Sequence, residues 1–412
     1  MIKLLHTADI HLDSPLKSLA LRDPDLRDRV QAATRGAFTC IVDTALDEDV
    51  AGLLIAGDLY DGAARSARTA AFLTTQLDRL RAACIPVFLI KGNHDAENPI
   101  TGEVALPDNV HVFSGRGGAV QLGAHDIWIH GVSFSGRHAP DSLLPKFAPP
   151  VAGAVNIALL HSSLAGAAGH DTYAPCTVAE LGAMEFDYWA LGHIHKRQIH
   201  SQAPWIVMPG TPQGRDIGEP GPQSATLLSI EGSQISVSDC HTSQVEFLPV
   251  EVDVTDCEDE DALRDHLRKT IQQCAASLQS DAAILRLRLT GGLARRWQID
   301  RDRDTWAETV SGMARETGCL WVEKLEIALT DPDGPRIDSS ATAELSALMQ
   351  AIRTEPGYAA QIEAQLAEIL SDLPAHIRAA LIPDEAAATT LAQRLAETGA
   401  HHVTALMKGA SE

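Results

Sequence analysis

Five short clusters in this sequence carry side chains that bind metal ions: Asp9-Ile10-His11, Gly57-Asp58-Leu59-Tyr60-Asp61, Gly92-Asn93-His94-Asp95, His161-Ser162-Ser163 and Gly192-His193-Ile194-His195. Their donors are carboxylate, amide and imidazole, with no thiolate. That set suits Mn²⁺, Fe²⁺ or Zn²⁺ in a hydrolytic centre better than a structural zinc. Two such ions sharing a carboxylate would sit about 3.5–4 Å apart, lower the pKa of a water between them and clamp a phosphoryl oxygen. The expected chemistry is phosphoester hydrolysis. A lone D-x-H or H-x-H is more often an ordinary loop than a metal site. The argument for a dinuclear centre is the ordered set of five, each placed just after an apolar run.

Those apolar runs are the elements that must hold the clusters in place. Ile2 to Thr7, Gly52 to Ala56, Val87 to Ile90, Ile157 to Leu160 and Tyr188 to Leu191 read as buried strands, each ending where a cluster begins. Strand ends are where α/β proteins build their sites. Helical periodicity over residues 25–48 and 66–83 gives a βαβαβ start, which predicts a parallel sheet with covering helices. From Val110 to Val254 the pattern is strand-rich. Ile127 to Ile129, Trp205 to Val207, Ala225 to Ile230 and Ile235 to Val237 recur between Gly and Pro turns and predict a second sheet. The first domain is expected over residues 1–245. A smaller β-α-β-α-β pattern over 246–330 predicts an α/β cap domain, with helices near 259–277 and 303–316. Asp331-Pro332-Asp333-Gly334-Pro335 reads as a linker to a helical tail over residues 336–412, broken by Pro356, Pro374 and Pro383.

Composition narrows the class further. The chain has 412 residues, 33 basic against 55 acidic, for a formal charge of 33 − 55 = −22; 45% of residues are apolar but only 4% aromatic. The balance is globular, and the cores must be aliphatic. Seven scattered cysteines with no C-x-x-C pair read as reduced thiols. Met1 leads straight into Ile2-Lys3-Leu4-Leu5 with no leader pattern, and no run of about 18 apolar residues follows, so a cytoplasmic protein without membrane contact is expected. None of the three segments is basic overall. A nucleic-acid substrate would have to be attracted by local arginines, metal ions or a partner.

Taken in order, D-x-H, G-D-x-x-D, G-N-H-D, a solitary His and G-H-x-H resemble the signature of the calcineurin-like metallophosphoesterase superfamily over residues 1–245. The resemblance implies a four-layer α/β/β/α sandwich. It also implies roles: Asp9, His11 and His195 would ligate one metal, Asn93, His161 and His193 the other, and Asp58 would bridge them. His94 would contact the scissile phosphate or protonate the leaving oxygen, with Asp95 as its orienting partner. The strings ADIHLDSP at 8–15, GHDTYAPC at 169–176, FDYWALGHIHKR at 186–197 and PGTPQGRDIGEPGP at 209–222 are similar to bacterial DNA repair exonucleases of the YhaO type, cousins of SbcD. Archaeal and eukaryotic relatives carry His where this chain has Asp61, so their balance of exonuclease and endonuclease activity does not transfer.

The resemblance therefore implies a Mn²⁺-dependent nuclease acting on DNA, single- or double-stranded at its ends, with two divalent ions as cofactors. Arg197 and Arg215 adjoin site motifs and are the expected phosphate contacts. Tyr173, Trp189 and Trp205 could stack on bases but fit core or rim positions better, and His6 and His130 read as core histidines rather than ligands. Two rivals stay open. One is a small-molecule or cyclic-nucleotide phosphodiesterase, which the negative charge favours; the other is a regulatory or scaffold subunit of an ATPase. Leu345, Leu348, Met349 and Ile352, then Ile362, Leu366, Ile369, Leu370 and Leu373, form apolar stripes at helical spacing in the tail. Either they pack internally or, as in SbcD-like nucleases, they dock on an SMC-like ATPase. A homodimer is also open.

Overall fold

Alternation of apolar residues along the first three strands decides how the layers stack. In the computed structural model, which describes residues 1–14, 24–61, 67–96, 106–164, 173–293, 296–330, 341–373, 378, 381–382 and 384–409, strands β1 (Ile2–Thr7), β2 (Gly52–Ala56) and β3 (Val87–Ile90) are parallel neighbours. Successive side chains on a strand point to opposite faces. Leu5, Leu53, Ile55, Val87 and Leu89 accordingly pack against Phe38, Ile41 and Val42 of helix α1 (Pro24–Asp47) and Leu73 and Leu77 of helix α2 (Ala67–Ala82). Their sequence neighbours Leu4, Leu54, Phe88 and Ile90 face the other way, into a core shared with a second sheet.

β4 (Val110–Val112) extends the first sheet in parallel, and β11 (Ser224–Glu231) and β12 (Gln234–His241) close its other edge antiparallel, giving the order β12-β11-β1-β2-β3-β4. The second sheet contains β5 (Gly118–Gln121), β6 (Ile127–Gly131), β7 (Val155–His161), β8 (Tyr188–Gly192), β9 (Gln198–Gln202) and β10 (Trp205–Met208), in the order β5-β6-β7-β8-β10-β9. Its β6, β7, β8 and β10 are parallel. Ile129, Ile157, Leu159, Tyr188 and Val207 meet the first sheet, whereas Ala158, Leu160, Trp189, Leu191 and Ile206 line the outer face beneath helix α3 (Val178–Ala183). The result is the expected α/β/β/α sandwich. Thr177 caps α3 through a reciprocal pair with Glu180, and Trp189 donates its indole N–H to the carbonyl of Leu181. Trp189 is thus a core residue, and the Trp205 indole donates to the Ile235 carbonyl.

A three-stranded sheet in the order β13 (Val245–Asp253), β14 (Ala282–Thr290), β15 (Leu320–Ile327) follows, with helices α4 (Glu260–Ser277), α5 (Arg296–Arg301) and α6 (Arg303–Glu316). The chain forms two compact units, one of residues 1–249, 274–286 and 318–323, the other of residues 250–273, 287–317 and 324–412. Within the first, Leu26, Val30 and Ala33 of α1 pack on Val245, Phe247, Ala282 and Ile284. In the second, α4 buries Leu263, Leu267 and Ile271, and α6 buries Trp306 and Val310. The tail adds α7 (Ala341–Arg353), α8 (Pro356–Ser371) and α9 (Glu385–Gly409). Leu366 and Leu370 of α8 pack with Ala392 of α9, and His402 of α9 lies 3.2 Å from the Asp300 carbonyl of α5. The expected linker at 331–335 and residues 169–172 of the GHDTYAPC string lie outside the described residues. No helix among the described residues is long and apolar enough to cross a membrane.

Candidate metal centre

Because β1, β2, β3, β7 and β8 run parallel within their sheets, the five clusters leave the carboxyl ends of strands on one edge of the sandwich. The backbone there is unusual. Asp9, His11, Asp58 and His193 all have positive φ, at 51°, 45°, 51° and 100°. Non-glycine residues rarely adopt that region, and they do so chiefly at functional sites where surrounding contacts enforce it. The enforcing contacts are backbone bonds that lace the loops together: Asp9 N–H to the Gly57 carbonyl (3.0 Å), His11 N–H to the Asp58 carbonyl (3.0 Å) and Ser162 N–H to the Gly192 carbonyl (3.2 Å). Gly57 has φ of 95°, and a Cβ on Gly92 would collide with the Asp58 carboxylate, which accounts for the glycines opening those two motifs.

The side chains converge. Donor atoms of Asp9, His11 and His195 lie within 4.8 Å of one another, as do those of Asp9, Asp58 and His161, and those of His11, Asp58 and His94. Asp58 therefore belongs to two of the three sets, alongside His161 at 3.4 Å and His11 at 3.9 Å. Asn93 places its side-chain oxygen 3.0 Å from His161 Nε2, and the rings of His161 and His193 are 5.1 Å apart. Asp9 is fully buried and accepts the backbone N–H of His193 through both oxygens, at 3.1 and 2.9 Å; Asp58 accepts that of His94 at 2.9 Å.

The donor set fits a pair of divalent ions on its own chemistry. His161 Nδ1 lies 2.9 Å from the Ala56 carbonyl, so it carries the proton and Nε2 carries the lone pair. That lone pair faces the Asn93 oxygen and the Asp58 carboxylate, which are also acceptors, so the arrangement needs a cation at Nε2, a metal ion or, without one, a proton. His11 Nε2 and His195 Nε2 face each other at 3.2 Å in the same way. The protonation balance reflects the same crowding. Burial alone would lower the His161 pKa, but the charges of Asp58 and Asp9 outweigh it and raise it to about 9. Burial would raise the Asp58 carboxyl; His161, His11 and His94 hold it far below the usual carboxylate range instead.

Four of the expected site residues, Asp95, His94, Arg197 and Arg215, have partners other than those anticipated. Asp95 is buried and accepts the backbone N–H groups of Tyr60 and Gly92, both at 3.0 Å, which ties the G-N-H-D turn to the G-D-x-x-D loop. Burial, followed by the charge of Asp58, raises its pKa to about 6. The carboxylate beside His94 is that of Asp61, with Oδ1 3.5 Å from His94 Nδ1 and 3.7 Å from His11 Nδ1. The His94 side chain is one-third exposed, against essentially none for Asp9, Asp58 and His161. Arg197 turns inward and donates to Thr226 Oγ1 at 2.5 Å. Arg215 forks onto Glu219, with N–H groups at 2.8, 3.0 and 3.4 Å.

Glu219 is a residue that sequence reasoning missed. Its Oε1 lies 2.6 Å from His195 Nδ1. Burial opposes its ionisation, yet hydrogen bonds from His195 and Arg215 hold its pKa at about 2. It sits inside the PGTPQGRDIGEPGP string but 24 residues from His195, beyond any local motif. Asp61 was visible in the G-D-x-x-D spacing, although its partner was not. His6 behaves as a core histidine: fully buried, it lies 2.9 Å from the Tyr188 hydroxyl and 3.1 Å from the Leu191 carbonyl. Tyr173 packs its ring edge-on to His193 at 5.2 Å and beside Phe134.

The family model described as calcineurin-like phosphoesterase matches residues 2–197, and that of the metallophosphoesterase YhaO middle domain matches residues 247–330. Over 375 residues, 87% of this chain and 91% of the relative, the sequence is 30% identical to the uncharacterized metallophosphoesterase YhaO of Bacillus subtilis. It is 27% identical over 205 residues to the DNA double-strand break repair protein Mre11 of Sulfurisphaera tokodaii, spanning 48% of this chain and only half the length of that relative. Among solved structures, a dimetal phosphatase from Danio rerio aligns over 59% of this chain and 98% of its own, with a TM-score of 0.39 and 12% identity.

Proposed function

The chain belongs to the calcineurin-like metallophosphoesterases of the YhaO type, and we propose that within that family it is a cytoplasmic nuclease that hydrolyses DNA phosphodiesters at a dinuclear Mn²⁺ centre. The observation that carries the reading is the sharing of Asp58 between donor sets that meet beside the partly exposed His94. Asp9, His11 and His195 would hold one ion, Asn93, His161 and His193 the other, and Asp58 both. Two bound ions supply Lewis-acid charge for the phosphoryl oxygens and an activated water. Oxygen and imidazole donors without thiolate suit Mn²⁺, Fe²⁺ and Zn²⁺ alike, and Mn²⁺ is the ion that the resemblance implies.

The chain's own residues supply the rest. His94 stands at the accessible side of the site with Asp61 at Nδ1, an arrangement that orients the ring and leaves the other nitrogen to donate a proton to the departing oxygen. The backbone bond from His94 N–H to Asp58 ties the acid to the shared carboxylate, so both are placed by one contact. Asp95 keeps the turn beneath them in register. We assign it no contact with the substrate.

DNA as substrate rests on the similarity to a relative whose printed name is a DNA double-strand break repair protein, and on the presence of a cap region beyond what a small diester needs. Leu348, Ile352, Ile369, Leu395, Val403 and Leu406 leave the tail helices with exposed apolar side chains, which supports docking on an SMC-like ATPase that would deliver substrate to an acidic nuclease. A small-molecule phosphodiesterase is favoured by one observation: Arg197 and Arg215 are engaged internally, leaving a chain of formal charge −22 without the expected phosphate contacts. The deciding experiment compares single-stranded, duplex and hairpin DNA with 2′,3′-cyclic nucleotides and a chromogenic diester, under Mn²⁺, Mg²⁺ or chelator. DNA should give the higher specificity constant with Mn²⁺, and none should be cut with chelator. A higher constant for cyclic nucleotides would establish the rival substrate, and no turnover of any would favour a scaffold role.

A further inference from the structure

The loop after β10 is built more tightly than a connection requires. Thr211 donates its N–H to the His195 carbonyl and its hydroxyl to the Asp9 carbonyl, each at 2.9 Å. Gly210, with φ of 79°, lies so close that a Cβ there would sit 2.7 Å from the His195 carbonyl oxygen. Gln213 donates to the Gly214 and Val245 carbonyls at 2.8 and 2.7 Å. The loop then folds back through a turn in which Glu219 N–H meets the Asp216 carbonyl at 3.0 Å. At its end the Glu219 carboxylate is gripped by the backbone N–H and guanidinium of Arg215, and only its Oε1 reaches the imidazole of His195.

We infer that Glu219 is the positioning residue for the metal-binding face of His195, with Arg215 as the clamp that holds Glu219 in place. The inference rests on the metal-centre reading above. Nδ1 meets the Glu219 carboxylate at 2.6 Å, which can only accept, and Arg215 Nη2 at 2.7 Å, which can only donate; with the guanidinium proton directed at the carboxylate, 3.0 Å away, the ring proton lies on Nδ1 and the lone pair on Nε2. Nε2 is the atom that faces His11 Nε2 at 3.2 Å and Asp9 at 3.9 Å. A carboxylate on the far nitrogen fixes tautomer and ring orientation and raises the basicity of the ligand nitrogen, and loss of such a partner commonly costs about 10–100-fold in metal affinity. Arg215 holds the pair together: its Nη2 donates to Glu219 Oε1 at 3.0 Å and lies 2.7 Å from His195 Nδ1, which keeps the carboxylate oxygen against the ring.

The test is a Mn²⁺ titration of the full-length chain followed by electron paramagnetic resonance, with histidine ¹⁵N NMR of the metal-free protein. Wild type should show His195 as the Nδ1-protonated tautomer, its signal assigned by loss in His195→Gln. Glu219→Ala should weaken one Mn²⁺ site by about 10–100-fold and leave the other unchanged. Glu219→Gln keeps an acceptor oxygen and should recover part of the loss, which a purely architectural role would not produce. An Nε2-protonated His195 in wild type would overturn the inference, as would equal Mn²⁺ affinities in all three proteins. If wild type takes up no Mn²⁺, the metal-centre reading itself fails and the role of Glu219 with it.

Discussion

His94 and the ligands around it divide the work of the site. Asp9, Asp58 and His161 are buried and cross-linked by hydrogen bonds, whereas His94 is the accessible ring among them. We expect His94→Ala to retain both metal ions and lose roughly 10²–10⁴ in rate on DNA, the range for removing a general acid. The loss should shrink on a nitrophenyl diester, which needs no proton at its leaving oxygen. Equal losses on both substrates would mean that His94 positions phosphate. Asp61→Asn should lower the rate by less than His94→Ala, because it disturbs the orientation of the ring and leaves the ring itself. The seven positions that we propose as ligands stand out in the sequence because each lies at or just after the end of a strand and the donor types are distinctive. The partners of those ligands were not. Whether Asp61 or Asp95 lies beside His94 depends on backbone turns with positive φ, and Glu219 reaches His195 from a loop 24 residues on.

At the scale of elements, short apolar runs located the strands that carry the site, since both faces of β2 and β3 are buried and show no alternation. The edge strands β5 and β9 escaped because their residues are mostly half-buried or exposed, so no apolar pattern marks them. The tail stripes were legible as helices, but their partners were not. Leu366 and Leu370 face Ala392 within the tail, whereas Leu348 and Ile369 are exposed, at 57% and 66%. Removing the tail outright would also strip α9 from α5, so truncation near Gly334 disturbs more than a docking face. Leu348→Glu combined with Ile369→Glu is the cleaner change. It should leave Mn²⁺-dependent hydrolysis and thermal stability unaltered and abolish co-purification with the SMC-like ATPase of the source organism. An intact complex would return these side chains to a role in the tail alone.

For the whole molecule, the formal charge of −22 opposes the approach of the DNA substrate that we propose. Long-range repulsion from a phosphate chain is screened beyond about 8 Å at physiological ionic strength, so on the proposed reading two ions held at the site would outweigh the bulk charge. The proposed chemistry therefore depends on two ions and on Asp58 as the carboxylate they would share. The most direct measurement is Mn²⁺ stoichiometry by elemental analysis together with DNA cleavage, for wild type and Asp58→Asn, each stripped with chelator and then restored with Mn²⁺. Wild type should bind two ions and recover cleavage. Asp58→Asn should keep its fold, bind Mn²⁺ more weakly and lose at least about 10²-fold in rate, the scale on which one preorganised charge acts. Full recovery of cleavage by Asp58→Asn would contradict the shared-carboxylate centre.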